Sequence, residues 1–387
     1  MNEITSTSIN KNLIYVLNNF VLVLIHILLM IDFIMIDLNV PIILEFGLLL
    51  LILINIKKLM CYKVNKADGI IIIIMSFILC MLLLYRYLIT SVSFVEIRYL
   101  IISVLIILLF STIDVSKKVW DKISLITLFT GIILILMNYN SSMIGAYFYA
   151  EKNAFAPILL ISTIWIIGTF TTRSKFFTII FLILSLFSLA ILQSRLNLIT
   201  LIIVVVLLLV YLSTKNMTQK NLVWVISSFF LISILLYLFF TSEIFSEVVL
   251  RQNYLMYVQG NSLLDKITSG RITSFNNNLK YFQESPLFGT FFNQYYINND
   301  PNSSVGIHSI WVRFLSYGGI LLFIPFFIIV FILVKKVKKE SKINIVTSSL
   351  LIVGLVNSFG EPFAPFGPLS SYFLFWAMLG FALKEKI

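Results

Sequence analysis

Arginine and lysine are not used interchangeably in this chain. Arg86, Arg98, Arg195, Arg251, Arg271 and Arg313 are six of its seven arginines, and all fall on one side of its apolar runs. Only three of its 21 lysines, Lys152, Lys266 and Lys280, fall there. Lysine serves where a point charge is enough. Arginine offers a planar fork that grips phosphate or carboxylate through two parallel hydrogen bonds. Arg195, in "LQSRLN", lies between two apolar runs with almost no connector, so it is held near an interface. A fixed arginine near a membrane wants an anion. A lipid headgroup and a bound lipid pyrophosphate are both candidate partners. Arg271, in "TSGRITS", is the natural second member of such a site. His308 is one of only two histidines and borders the apolar run that starts at Ser309. An unperturbed pKa near 6.5 suits a general base at neutral pH. Two fixed cations and a base would stabilise an anionic leaving group and take a proton from a nucleophile.

Further residues belong to the same face. Glu96 and Arg98 stand at the mouth of one apolar run, Asn153 in "GAYFYAEKNAFAP" at the mouth of another, and Arg313 just inside a third. Each has a plainer reading. Outer arginines snorkel or pair with loop acids, and an interfacial histidine anchors. Glu45, in "PIILEFG", is expected to form a structural ion pair with Arg98. His26 is expected to be a buried hydrogen-bonding group.

The elements that must position these residues follow from composition. The chain has 387 residues, of which 60% are hydrophobic and 12% charged. Its mean hydropathy is +1.02. A soluble chain carries about 25% charged residues. Apolar runs of membrane-crossing length recur throughout, which predicts an all-α integral membrane fold, since the bilayer leaves no water for unpaired backbone. Twelve spans are predicted, at 13–31, 41–56, 69–88, 93–112, 122–139, 154–171, 176–193, 196–213, 221–241, 309–334, 343–360 and 369–384. With both termini cytoplasmic, nineteen of the 28 lysines and arginines fall in inner loops and their flanks. That is the positive-inside bias. The net charge of +11 is therefore a topology signal and requires no nucleic acid. The polar start "MNEITSTSINKN" has no cationic region or cleavage site, so the first span is read as an uncleaved anchor. Cys61 and Cys80 suggest no disulfide or metal framework. No H-x-x-x-H, C-x-x-C or paired-Asp motif appears in the outer loops, so no metal or cofactor is expected.

The chain reads as one polytopic domain, 1–387, with one long extracytoplasmic loop at 242–308. Such a connector is unusually long. Within it, "RITSFNNNLKYFQ" spaces Ile272, Phe275, Leu279 and Phe282 as on a helix, and "ESP" stops the run. An amphipathic helix there would lie on the membrane or cover a cavity.

Several stretches resemble the O-antigen polymerase and O-antigen ligase superfamily. "SGRITSFNNNLKYFQESPLFGTFFNQ" is similar to that family's Gly-Arg, amphipathic helix and Pro-Leu-x-Gly turn. "HSIWVRFLSYGGILLF" resembles its His-Asn motif and glycine-containing span, with Ser309 where the family has Asn and without its two spaced glycines. "QSRLNLITLIIVV" resembles its Ser-Arg opening of a span, and "GAYFYAEKNAFAP" its Gly…Asn-Ala motif. The resemblance implies a metal-independent membrane glycosyltransferase of the GT-C type in a bacterial plasma membrane. Its donor would be an oligosaccharide on polyprenyl pyrophosphate and its acceptor a second lipid-linked glycan or another anchor. It implies pyrophosphate binding by Arg195 and Arg271 and proton abstraction by His308. Arg98, Asn153, Arg313 and Glu96 would support the site or bind substrate. A chain-length regulator is a candidate partner alongside membrane lipid.

Two rivals share the outline. A flippase or other transporter would place its polar residues at the midplane or in broken helices. A cell-wall polymerase would centre on an outer-loop aspartate, for which Asp265 and Asp300 are the candidates.

Overall fold

The structure is a computed structural model that describes residues 2–34, 40–60, 66–89, 94–138, 144–169, 174–192, 194–215, 271–289, 309–340, 345–361 and 363–384. Thirteen helices account for nearly all of these residues. They are α1 (Asn2–Ile34), α2 (Val40–Ile54), α3 (Ile56–Met60), α4 (Lys66–Ile89), α5 (Phe94–Thr112), α6 (Lys117–Asn138), α7 (Ile144–Gly168), α8 (Lys175–Ile191), α9 (Arg195–Lys215), α10 (Arg271–Glu284), α11 (Ile310–Glu340), α12 (Ile345–Gly360) and α13 (Leu369–Lys384).

The stretches Asn12–Ile34, Lys117–Leu136 and Ile310–Ile332 are long and apolar enough to cross a membrane, and eight shorter apolar helices accompany them. Eleven of the twelve predicted spans coincide with these helices. The span at 221–241 lies outside the described residues, as does most of the 242–308 loop. Phe20, Phe46, Ile73, Phe129, Leu136 and Phe176 are all more than 60% exposed. An exterior carrying such side chains suits lipid contact and a multi-pass membrane protein.

The interior is mostly Leu, Ile and Val, and its largest fully buried side chains are aromatic. Trp120 packs against Phe110, Trp165 and Phe381 at centroid distances of 5.6–6.1 Å. These contacts join α5, α6, α7 and α13. His26 is fully buried and its Nε2 lies 2.8 Å from Thr127 Oγ1, which fits the expected hydrogen-bonding role.

One helix departs from the sequence reading. The run 309–334 reads as one unbroken span, but α11 breaks at Gly319, where φ is 56° and ψ is −153°. The physical reason is the turn that follows α10. Ile320 and Leu321 donate their N–H groups to the carbonyls of Pro286 and Leu287, at 2.9 and 3.3 Å. Backbone groups freed by the break are satisfied by that turn, as membrane-depth backbone requires. The glycine pair Gly318-Gly319 and the Pro-Leu-x-Gly turn thus form one feature.

The helix predicted after Arg271 is present as α10 and ends at Glu284, before Ser285-Pro286. Its contact with α11 includes polar groups. Ser274 is its buried residue, and the Asn278 carbonyl accepts a 2.7 Å hydrogen bond from Ser316 Oγ on α11. Ile272 and Phe275 of the apolar stripe are exposed.

Candidate functional site

The last turn of α12, "NSFGE" from Asn357 to Glu361, gathers the segments that carry the candidate residues. The helix ends here because Gly360 is followed by Glu361-Pro362, and proline disfavours helix for its predecessor. Glu361 N–H still donates to the Asn357 carbonyl at 2.8 Å, which completes the final turn.

Asn357 is fully buried and reaches two helices. Its Nδ2 donates to Asn197 Oδ1 at 3.1 Å and to the Tyr372 hydroxyl at 3.3 Å. Its Oδ1 accepts from Thr200 Oγ1 at 3.3 Å. Asn197 in turn donates to Ser194 Oγ at 2.9 Å. This chain of bonds fixes the first turn of α9, whose first residue is Arg195.

Ser358 holds the start of α11. Its carbonyl accepts from Ser309 Oγ at 3.3 Å, and its Oγ accepts from Trp311 Nε1 at 2.6 Å. His308, the residue before Ser309, lies outside the described residues.

Gly360 is where two of the segments close on one another. A methyl group there would lie 2.6 Å from Leu196 Cδ2 and 3.2 Å from Arg271 Nη1. Only a residue without a side chain leaves room for both. Arg271 opens α10 and pairs with Glu361, Nη2 to Oε1 at 3.1 Å, with side-chain exposures of 29% and 19%. A single contact through Nη2 engages a minority of the guanidinium's five N–H donors.

The remaining candidates lie on α11, α5 and α7. The Arg313 guanidinium lies 4.2 Å from the centre of the Phe363 ring and 5.2 Å from that of Tyr317. Phe363 also meets Tyr99 edge-on at 5.8 Å. Next to Tyr99, Arg98 pairs with Glu45, the ion pair expected from the sequence. Glu96 lies in α5 and Asn153 in α7. Glu361, Asn357, Asn197 and Tyr372 were not singled out by the sequence reading. Glu361-Pro362 looks like an ordinary loop acid, and the asparagines are separated by 160 residues.

The arrangement can bind an anion. Two helix N-termini, those of α9 and α10, begin at arginines and converge on Gly360. Each N-terminus carries the partial positive charge of its helix dipole.

The model of a family described as O-Antigen ligase matches residues 179–327, from α8 into α11. The match spans Arg195, Arg271 and His308. It supports the resemblance to the O-antigen polymerase and ligase superfamily and, at that coarse level, a membrane enzyme handling lipid-linked polysaccharide. No curated protein matches the chain.

Proposed function

We propose that this chain is a polysaccharide repeat-unit polymerase of the outer face of a bacterial plasma membrane. It transfers a glycan from polyprenyl pyrophosphate to the terminal sugar of a second lipid-linked glycan, without a metal, in a GT-C-type helical scaffold. One observation carries this reading. A single turn of α12 contacts Arg271 itself, the residue after Arg195 and the residue after His308.

The chemistry follows from those neighbours. The acceptor hydroxyl oxygen forms the new bond to the anomeric carbon. The bond from that carbon to pyrophosphate oxygen breaks, and polyprenyl pyrophosphate leaves with the electron pair. Arg195 and Arg271, with the two helix N-termini, stabilise the charge gathered on the leaving group. Fixed dipoles in a water-poor site are worth most at this step. His308 takes the acceptor proton. Arg98, Asn153, Arg313 and Glu96 line or support the substrate groove. The lipid tail sets the height of the reacting carbon, which explains a base at the membrane edge.

Transfer of finished chains to another anchor is the second reading, favoured by the description of the matching family. Electrophoresis of surface polysaccharide from a strain lacking the gene separates the two. Loss of the long ladder with retention of one anchored repeat is the polymerase outcome. A full ladder stranded on carrier lipid is the ligase outcome. Repeat units trapped on the cytoplasmic face would overturn both and indicate a flippase.

A further inference from the structure

Glu361 stands where a site for a polyanion has least use for an acid. It follows the last residue of α12, at the negative end of that helix's dipole. A carboxylate there is not explained by helix stability. One of its partners is Arg271, whose Nη2 lies 3.1 Å from Glu361 Oε1. Both side chains are more than two-thirds buried, which strengthens the pairing relative to open water. A carboxylate and a phosphate meet a guanidinium with the same two-oxygen geometry.

We infer that Glu361 is a resident counter-anion that pairs with Arg271 and gives it up when a pyrophosphate group binds. This rests on the assignment of Arg271 to the pyrophosphate. Three observations support an exchange. The contact is monodentate through one terminal nitrogen, so an incoming oxygen can approach the rest of the fork. A methyl group at Gly360 would lie 3.2 Å from Arg271 Nη1, so the bare glycine leaves the guanidinium room beside the acid. Glu361 stands on the last helical hydrogen bond of α12, with Pro362 following, so its side chain can turn outward without unwinding the helix.

The device has two consequences. The buried cation is never left uncompensated between turnovers. The resident carboxylate also sets a threshold. A single phosphate competes poorly with it, while a pyrophosphate carries enough charge to replace it. Glu361 thereby selects against phosphate monoesters and lets the spent carrier lipid leave.

The test uses the full chain in nanodiscs, with inorganic pyrophosphate and inorganic phosphate as probes and calorimetric titration as the readout. Glu361→Gln keeps the shape and removes the charge. It is expected to bind pyrophosphate about tenfold or more tightly than the unaltered chain, from loss of one like charge at short range. The ratio of pyrophosphate to phosphate affinity is expected to fall. Glu361→Asp withdraws the carboxylate from Arg271 and is expected to shift affinity the same way by less. Unchanged or weaker pyrophosphate binding in both variants would overturn the exchange and make Glu361 a strut that holds Arg271. Arg271→Ala separates this from the underlying assignment. If it binds pyrophosphate as well as the unaltered chain, the pyrophosphate reading itself fails.

Discussion

Gly319 backbone borders the side-chain space of Gly289, and the turn that leads to Gly289 fills the side-chain space of Gly319. A methyl group on Gly289 would lie 2.3 Å from the Ser316 carbonyl oxygen and 2.9 Å from Gly319 N. One on Gly319 would lie 2.5 Å from the Leu287 carbonyl carbon. Both residues have φ of +56°. The turn after α10 and the break in α11 are therefore locked by a pair of glycines.

Gly319→Ala is expected to be strongly destabilising. Its φ and ψ lie in a region that L residues reach only with about 1–3 kcal/mol of strain, and the added carbon meets backbone that cannot rotate away. Thermal unfolding in detergent is expected to fall by several degrees, and α10 should become more susceptible to proteolysis after Lys280. An unaltered melting temperature would show that the turn docks without this lock.

Arg271→Lys tests whether the fork or the charge matters. Lysine keeps the cation but cannot bind two oxygens in one plane. Transfer activity is expected to fall about 10²–10³-fold, the range for loss of one transition-state donor. Membrane abundance, read by immunoblot, is expected to stay normal. Activity near that of the unaltered chain would reduce Arg271 to a source of charge.

His308→Ala is expected to separate binding from transfer. Donor binding should persist, because the arginines and helix N-termini remain, while polymer formation stops. Normal glycan ladders in this variant would remove His308 from the reaction.

Asn357→Leu is expected to harm both stability and activity. It removes bonds to Asn197, Thr200 and Tyr372 and leaves Asn197 Oδ1 and the Tyr372 hydroxyl buried without that donor, while Thr200 Oγ1 keeps its bond to the Leu196 carbonyl. Each orphaned group costs about 1–3 kcal/mol. The first turn of α9 would lose its tie to α12, so Arg195 would shift relative to Arg271. Circular dichroism melts and transfer rates together check this. A stable variant that has lost activity would isolate the positioning effect.

Much of this was legible in the sequence, for identifiable reasons. Run length located the apolar helices because the bilayer thickness fixes how many residues a span needs. The spacing of Ile272, Phe275, Leu279 and Phe282 located α10, but not which face would pack. Buried Ser274 and the Ser316 to Asn278 bond show that polar groups meet α11. The Arg98–Glu45 pair followed from the cost of a lone intramembrane acid. The α12 turn was not legible. Asn357 and Asn197 are ordinary residues whose partnership exists only once two distant helices pack. The break at Gly319 had a signal in the glycine pair, but its cause lies far upstream in the chain, in Pro286 and Leu287.

The last prediction concerns the opposite end of the molecule. Asp114, between α5 and α6, receives Lys58 Nζ at 2.6 Å and also pairs with Lys384. Lys384 additionally donates to the Ile113 carbonyl at 2.7 Å, and Asn18 to the Asp114 carbonyl at 3.3 Å. The charge pattern assigns Lys58, the 113–117 turn and Lys384 to one face, and here they meet. Partial burial by itself would raise the Asp114 pKa, but hydrogen bonds from Lys384 and Lys58 outweigh it and hold the carboxyl below its ordinary 3.8. A carboxyl depressed in the folded state stabilises fully above the unfolded value and loses that contribution as pH falls through the folded one. Asp114→Asn is therefore expected to lower the melting temperature at neutral pH. The gap between variant and unaltered chain should narrow only below about pH 4, where the unaltered carboxyl begins to protonate. Because Asp114 is largely exposed, with 58% of its side chain accessible, solvent screening keeps the effect modest and salt-sensitive. A gap that stays constant from pH 7 to pH 3 would mean that Asp114 acts through the backbone carbonyls it orders, not through its charge.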